Sequence, residues 1–290
     1  MRGSSNSNDN RGFQLRSLAL HLIETLRSRV FRSRAQVCSE FELEVAPFLC
    51  NIQKISVDIG ADQGSYSLGI CNHSADCLAF EPRLPQAEMI RESAYANGLR
   101  IRVEAIALSN TAGMAELRIL TQDPGRSTID EGNVLEDPDG SPRISMSVPT
   151  MRLDDYDLQD VGFIKVDVEG HELAVLQGAE RTLRRSMPNL LVEIEERHRA
   201  GGIRDVSAFL ARLGYEGFFI LDDQVHPLQR FDETVHQSPA NIGSWKQGWK
   251  RRGVYVNNFF FLQAGRADIL TNALASANLK CPSLIPKPTK

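Results

Sequence analysis

The chain has 290 residues, of which 42% are hydrophobic and 24% charged, a composition typical of a globular protein with a sizeable core. Its formal net charge of -4, from 33 basic and 37 acidic residues, provides no global positive field for nucleic acid. The five cysteines lack zinc-type or paired spacing, and no apolar run is long enough for a membrane span. We therefore expect a cytoplasmic protein without a nucleic-acid partner or a transmembrane segment.

The predicted elements begin after a polar terminus. Residues 1–12 are rich in Ser, Asn and Gly and are expected to be disordered. Residues 13–50 are predicted to form an N-terminal helical segment, because apolar side chains recur at steps of three and four from Leu15 to Val30. We expect it to pack on the domain or on a second copy of the chain. Basic residues on this segment leave a membrane-surface role as the alternative.

Between residues 51 and 265, short apolar runs alternate with helical patterns, which predicts one α/β domain with a mostly parallel sheet. Strands are predicted over residues 54–59, 76–80, 101–108, 163–168, 190–195, 215–221 and 254–262, with an antiparallel excursion over 113–120. Helices are predicted over 85–97, over 171–185 and after a cap at Asp205. Two long connections, 122–142 and 222–253, are expected to be mobile or functional, and residues 266–290 to form a helix and a proline-rich tail.

The segment 56–67, SVDIGADQGSYS, joins the first predicted strand to a turn that contains Gly60 and Gly64. Glycine lets the backbone approach a ligand closely, and such a turn lies at the sheet edge where open α/β folds bind ligands. The dinucleotide fingerprint G-x-G-x-x-G is not matched, because Asp62 and Ser65 stand at its second and third glycines. Asp58 and Asp62 suit an ammonium and a sulfonium, so a cationic cofactor without phosphate fits better.

Acidic residues follow the later strands. Glu81 ends the second strand, where a carboxylate can accept two hydrogen bonds from the vicinal hydroxyls of a ribose. Asp167 and Glu169 end another strand and share one face there. His198 follows the next strand, and a histidine with a pKa near 6.5 is a natural acceptor for a hydroxyl proton. A surface histidine beside charged neighbours is the alternative.

Six ordered motifs resemble the FkbM-type S-adenosylmethionine-dependent methyltransferases: VDIGADQGSYS, AFEP, AIALSN, LDDY, FIKVDVEGHELAVLQGA and LLVEIEERH. The resemblance covers residues 54–198 and, more weakly, the last predicted strand. It implies a class I methyltransferase (Rossmann-like) fold, a seven-stranded mostly parallel sheet with its last strand antiparallel and helices on both faces. It also implies methyl transfer from S-adenosylmethionine to a hydroxyl of a sugar, glycan or polyketide-type acceptor.

The family pattern, carried onto this chain, places the methionine end of the cofactor at Asp58, Gly60 and Gly64, the ribose at Glu81 and the adenine near 105–107. The full predicted cofactor set is Asp58, Gly60, Ala61, Asp62, Gly64, Tyr66, Glu81, Ala105, Ile106 and Asp167. The sequence departs from the family pattern at two places. The glycine turn reads ADQG where many members have Asn before the residue that precedes the second glycine, and His171 stands where small or aromatic residues are common.

The predicted catalytic residues are Asp167, Glu169, His198 and His171. Transfer from a sulfonium mainly needs positioning, and a base that takes the hydroxyl proton adds about 10²- to 10⁴-fold. Asp167 and Glu169 are expected around the methyl group and the acceptor, with His198 or His171 as the proton acceptor. No metal site is predicted, although a metal that polarises the hydroxyl is the alternative to a base. The acids of the LDDYD segment favour a turn.

Two other function classes stay open. One is an NAD(P)-type oxidoreductase on a related sheet, against which the missing fingerprint glycines count. The other is a non-catalytic protein that keeps the cofactor fold as a scaffold, since fold does not imply function. The connections 122–142 and 222–253, the latter with Trp245 and Trp249, are predicted to close over the acceptor.

Overall fold

A computed structural model describes residues 41–135, 140–243 and 252–280. For residues 279 and 280 it describes the backbone alone. The chain divides into two compact units, Met1–Phe41 and Glu42–Lys290, and the fold described below belongs to the second. The predicted disordered terminus, most of the predicted N-terminal helical segment, the proline-rich tail and both tryptophans lie outside the described residues.

The described residues form twelve strands and eight α-helices. The strands are β1 (Ile55–Ile59), β2 (Asp76–Phe80), β3 (Arg102–Glu104), β4 (Ala107–Leu108), β5 (Gly113–Leu120), β6 (Asp123–Thr128), β7 (Arg143–Met151), β8 (Val161–Val166), β9 (Asn189–Glu193), β10 (Tyr215–Leu221), β11 (Gln224–Pro227) and β12 (Asn258–Gln263). The helices are α1 (Glu42–Leu49), α2 (Ser65–Ile70), α3 (Leu84–Ala96), α4 (Glu172–Gln177), α5 (Glu180–Ser186), α6 (Gly202–Arg212), α7 (Glu233–His236) and α8 (Ala267–Lys280).

The main sheet has the strand order β11-β10-β12-β9-β8-β1-β2-β3. Strands β9, β8, β1, β2 and β3 are parallel neighbours, and β12 runs antiparallel to both β9 and β10. This is the expected mostly parallel sheet with an antiparallel last strand. The predicted count of seven is wrong by one, because Asp222 and Asp223 adopt positive φ angles of 51° and 58° and turn the chain into the edge strand β11.

A second sheet, with the order β4-β7-β5-β6, departs from the prediction at two places. The strand predicted over 101–108 is split, because β3 pairs with β2 whereas β4 pairs with β7. The connection 122–142, expected as a loop, contains β6, which pairs antiparallel with β5. A small apolar cluster stabilises this sheet and consists of Ala107, Leu117, Ile119 and Val148.

The helix predicted over 171–185 is broken into α4 and α5 at Gly178. A Cβ atom at Gly178 would lie 2.0 Å from the carbonyl oxygen of Ser109, so the helix passes too close to this loop for any side chain. The side chain of Asp154 then starts α5, because it accepts hydrogen bonds from the backbone N–H groups of Arg181 and Thr182, both at 2.9 Å. The turn predicted for the LDDYD segment is confirmed as a short 3₁₀ turn over Leu153–Tyr156. Helix α6 begins at Gly202, three residues before the predicted cap at Asp205.

Asp154→Ala is expected to lower the free energy of unfolding by about 1 to 2 kcal/mol, because α5 loses its cap and buried N–H groups lose their acceptor. Chemical denaturation measures the change. Asp155→Ala is the matched control, since Asp155 forms a surface pair with the half-exposed Arg152, and its effect should be smaller. Equal losses in the two variants would contradict the capping role.

The main core packs one face of the sheet against α4, α5 and α6, with Val57, Ile59, Val175 and Phe209 among its members. Because side chains alternate along a strand, Asp58 lies on the opposite face from Val57 and Ile59. In the part of the chain that the structure describes, no helix combines the length and apolar character that a membrane span needs.

Candidate active site

The predicted site residues meet where the parallel strands β9, β8, β1 and β2 end. Asp58 and Gly60 belong to the end of β1, Glu81 follows β2, and Asp167 and Glu169 follow β8. His198 follows β9 on the neighbouring connection. The carboxyl ends of adjacent parallel strands form one edge, which is where open α/β sheets bind ligands.

The glycine turn is shaped by the chain itself. Gly60 has a φ of 78°, and a Cβ atom there would lie 1.7 Å from the carbonyl oxygen of Asp167. Gly64 has a φ of 82° and packs against Ile90 of α3. The N–H groups of Gly60 and Ala61 both donate to the carbonyl of Phe80. Close packing between β1 and β8 therefore explains Gly60, and approach to a ligand stays a prediction for this turn.

A buried cation holds the carboxylates of the edge together. Lys165 is 1% exposed, and its Nζ lies 3.6 Å from Oδ2 of Asp167 and 3.8 Å from Oε2 of Glu193. The same Nζ lies 5.1 Å from the centroid of the Tyr66 ring. Lys165 is also the β8 neighbour of Asp58 in the strand register.

Asp58 is the buried acid of this cluster, and its carboxylate accepts a hydrogen bond of 2.5 Å from the hydroxyl of Ser67. Burial raises the pKa of Asp58 to about 6, although the Ser67 hydrogen bond and the charge of Lys165 act in the opposite direction. Sequence reasoning missed Lys165. Its signal was a lysine inside the apolar strand VGFIKV, since lysine is almost never fully buried unless it is paired.

Glu81 is 2% exposed, and its carboxylate is enclosed by donors of this chain. Oε1 accepts from the backbone N–H and the Nε of Arg83, at 2.9 and 2.7 Å. Oε2 accepts from the backbone N–H of Asp62 at 2.9 Å and from the Nη2 of Arg83 at 3.1 Å. Arg83 also pairs with the Asp62 side chain at 2.9 Å. Arg83 is a second residue that sequence reasoning missed.

Glu169 and His198 form a pair, in which Oε2 of Glu169 lies 3.0 Å from Nδ1 of His198. Glu169 adopts a φ of 55°, and its carbonyl accepts a hydrogen bond of 2.7 Å from the side chain of the buried Asn133. Nε2 of His198 is buried and has no hydrogen-bond partner among the residues that the structure describes. Burial lowers the pKa of His198, but the charge of the Glu169 carboxylate outweighs burial and raises it above the usual value.

Glu195 supports this pair from the strand side. The backbone N–H of His198 donates to the carbonyl of Glu195, and the Glu195 carboxylate accepts from the guanidinium of Arg197 and the hydroxyl of Tyr255. Burial acts to raise the pKa of Glu195, but Arg197 and His198 lower it to about 2. The carboxylate thus stays ionised beside His198 and helps to stabilise its cationic form.

His171, the other predicted proton acceptor, is tied to the second sheet. Its Nε2 lies 2.8 Å from the hydroxyl of Ser109, and its Nδ1 lies 3.5 Å from Oδ2 of Asp130. Nε2 of His171 is therefore engaged by Ser109, whereas its buried Nδ1 faces the Asp130 carboxylate without a hydrogen-bond partner among the described residues. Ala105 and Ile106 are half-buried in the link between β3 and β4, and their proximity to an adenine stays a prediction.

The connection that starts at Asp123 reaches the site at three points. The carbonyl of Pro124 accepts from Nη1 of Arg83, Asp130 faces His171, and Asn133 binds the carbonyl of Glu169. Of the described residues, no group of three or more His, Cys, Asp or Glu side chains is arranged to hold a metal ion.

Comparison with known proteins decides the family. Residues 49–216, more than half of the chain, match the family model described as the methyltransferase FkbM domain. The chain belongs to this family. The family expected from the six motifs is thereby confirmed, together with the class I methyltransferase fold. A comparison with curated proteins gave no match.

Several solved structures resemble the FkbM chain at low identity. The FkbM methyltransferase from Methylobacillus flagellatus KT is 16% identical, with a TM-score of 0.46, over 73% of this chain and 44% of that one. The O-methyltransferase from Bacillus cereus, solved with SAH, is 13% identical, with a TM-score of 0.44, over 83% and 88% of the two chains. An rRNA methylase from Streptococcus thermophilus is 10% identical, with a TM-score of 0.41, over 77% and 93%. The chain thus spans less than half the length of the Methylobacillus protein.

Proposed function

We propose that this FkbM chain is an S-adenosylmethionine-dependent O-methyltransferase that acts on a hydroxyl of a sugar, glycan or polyketide-type acceptor. The observation that carries the proposal is the Glu169–His198 pair, which leaves a buried ring nitrogen of His198 without a partner at the ligand-binding edge. A buried polar atom needs a partner, and an acceptor hydroxyl would supply one.

The chemistry of the donor set fits the cofactor. Asp58, Asp167 and Glu193 offer carboxylates to a cationic ligand, and Glu81 offers one to a ribose diol. The hydrogen bonds between Arg83 and Glu81 have to break before a ribose can bind, because the Arg83 guanidinium already donates to both oxygens of Glu81. When bound, S-adenosylmethionine would supply a methyl group on a positively charged sulfur, and this sulfur is a good leaving group because it departs as a neutral thioether.

The chain's own residues then have two tasks. The buried edge orients the acceptor and excludes water, and orientation supplies several kcal/mol. His198 takes the hydroxyl proton at Nε2, while Glu169 at Nδ1 fixes the tautomer and stabilises the resulting imidazolium. We place Asp167 beside the transferred methyl group, because it ends the strand next to the glycine turn.

We place the methyltransferase domain at residues 51–265 and the protein in the cytoplasm. The oxidoreductase alternative is not favoured, because Asp62 and Ser65 stand where the dinucleotide fingerprint has its second and third glycines.

The proposal is tested by incubating the full chain with isotopically labelled S-adenosylmethionine and two panels, methyl glycosides and hydroxylated macrolactones. Mass spectrometry should detect one labelled methyl ether per turnover on a member of one panel. Tight NAD(P) binding with none of SAH would contradict the proposal.

Glu81→Ala is expected to weaken SAH binding by about 1.5 to 3 kcal/mol, because the ribose loses charge-assisted hydrogen bonds. Calorimetry measures the affinity. Glu88→Ala is the control, since Glu88 forms a surface pair with Arg91 on α3 and should bind SAH as the wild type does. An unchanged affinity in Glu81→Ala would remove the ribose assignment.

A further inference from the structure

The carboxylate of Glu81 has no acceptor capacity left. A carboxylate offers about four acceptor positions on its two oxygens. Two of the four on Glu81 accept backbone N–H groups, from Asp62 and Arg83, and the other two accept Nε and Nη2 of the Arg83 side chain. A ligand that donates to Glu81 must therefore replace a donor of this chain.

The Arg83 fork and a ribose diol place their donors alike. The two guanidinium nitrogens bind one oxygen each, at 2.7 Å to Oε1 and 3.1 Å to Oε2. Vicinal hydroxyls bridge a carboxylate in the same way, one hydroxyl to each oxygen. The backbone donors are fixed by the β2 end and the glycine turn, so the side chain of Arg83 is the part that can leave.

A displaced guanidinium keeps a counter-ion. Nη2 of Arg83 already lies 2.9 Å from Oδ1 of Asp62, whose side chain is 43% exposed. Movement toward Asp62 would carry the cation from a buried position to the surface without leaving it unpaired. The cost of opening is thereby limited, since an unpaired buried charge is the expensive case.

We propose that Arg83 is a further residue of the cofactor site, one that occupies the ribose position on Glu81 until the cofactor displaces it toward Asp62. This inference rests on the proposed function, because it takes S-adenosylmethionine as the ligand of Glu81. Arg83 competes with the ribose for Glu81. The apparent affinity for the cofactor is the intrinsic affinity multiplied by the fraction of molecules in which Arg83 is open, that is, not bound to Glu81.

Displacement also breaks a contact with the second sheet. Nη1 of Arg83 donates to the carbonyl of Pro124 in β6, on the connection that carries Asn133 to Glu169. Cofactor binding therefore releases one of the three points at which this connection reaches the site.

Calorimetry with SAH on the full chain and on Arg83→Met tests the competition. We expect Arg83→Met to bind SAH about tenfold more tightly, as for a competitor that is closed about nine-tenths of the time. Arg91→Met is the matched control, because Arg91 also pairs with a glutamate and a backbone carbonyl but does not reach Glu81. Equal or weaker binding by Arg83→Met would overturn the proposal.

A comparison of adenosine with 2′,3′-dideoxyadenosine separates competition for the diol from the mere loss of a positive charge. Arg83→Met should gain affinity for adenosine and none for the dideoxy compound. Equal gains for both nucleosides would contradict displacement by the ribose.

A measurement on the wild type covers the case in which Arg83→Met does not fold. The Nε–H of Arg83, followed by NMR in arginine-labelled protein and assigned with Arg83→Lys, should exchange slowly in the free chain. It should exchange rapidly at saturating SAH, and protection that persists in the complex would overturn the proposal. Absence of SAH binding in every variant would instead contradict the proposed function.

Discussion

Replacement of His198 with alanine is expected to lower kcat by about 10²- to 10⁴-fold, the usual contribution of a positioned base. SAH affinity should change little, because His198 contacts Glu169 and Glu195 rather than the glycine turn or Glu81. Single-turnover kinetics with labelled S-adenosylmethionine measures the chemical step, and calorimetry measures the affinity. The separation of the two effects distinguishes a base from a residue that only holds the fold.

The pH profile gives an independent readout of the same residue. Only neutral imidazole accepts a proton, so kcat should rise with pH through the pKa of His198. Since Glu169 raises that pKa, the midpoint should lie above the value of about 6.5 that an isolated histidine would give. Glu169→Gln should move the midpoint to lower pH. Wild-type kcat and profile in His198→Ala would exclude this base and leave Glu169 or a metal-bound acceptor.

The site residues that could be predicted from sequence are those that lie at the end of a single predicted strand. Asp58, Glu81 and Asp167 each end a predicted strand, and parallel pairing brings such ends together whatever the rest of the chain does. The glycine turn was predicted for the same local reason. The structure gives a different reason for the glycine at position 60, because Gly60 makes room for the backbone of Asp167, directly after β8.

The contacts that could not be predicted join distant segments. Asn133 and Glu169 are 36 residues apart, and their hydrogen bond depends on the second sheet, whose strand β6 lies in a stretch rich in Gly, Pro and Asp. The preference of His198 over His171 has the same origin. Both histidines follow strands in the sequence, and only the position of Ser109 shows that Nε2 of His171 is already engaged.

The replacement of Lys165 with methionine is expected to lower the free energy of unfolding by about 3 to 5 kcal/mol at pH 8, the usual effect of removing one partner from a buried ionic group. Methionine keeps the approximate length of the side chain in β8, so the main loss is the charge that faces Asp167 and Glu193 and neighbours Asp58. Chemical denaturation at several pH values measures the loss. Near-wild-type stability at pH 8 would contradict a structural role for this cation.

The pH dependence of that loss identifies Asp58 as the group that Lys165 compensates. Asp58 has a folded pKa of about 6, above its unfolded value, so the native state binds more protons between the two, and stability falls as pH rises toward 6. Without Lys165 the folded pKa of Asp58 rises further, which extends this fall to higher pH. The loss of free energy of unfolding in Lys165→Met should therefore be smaller at pH 5 than at pH 8. Asp58→Asn combined with Lys165→Met should recover part of the stability at pH 8, because no buried carboxylate then remains at position 58. A deficit that is equal at both pH values and unchanged in the double variant would attribute the effect to lost packing around β8 instead of to charge.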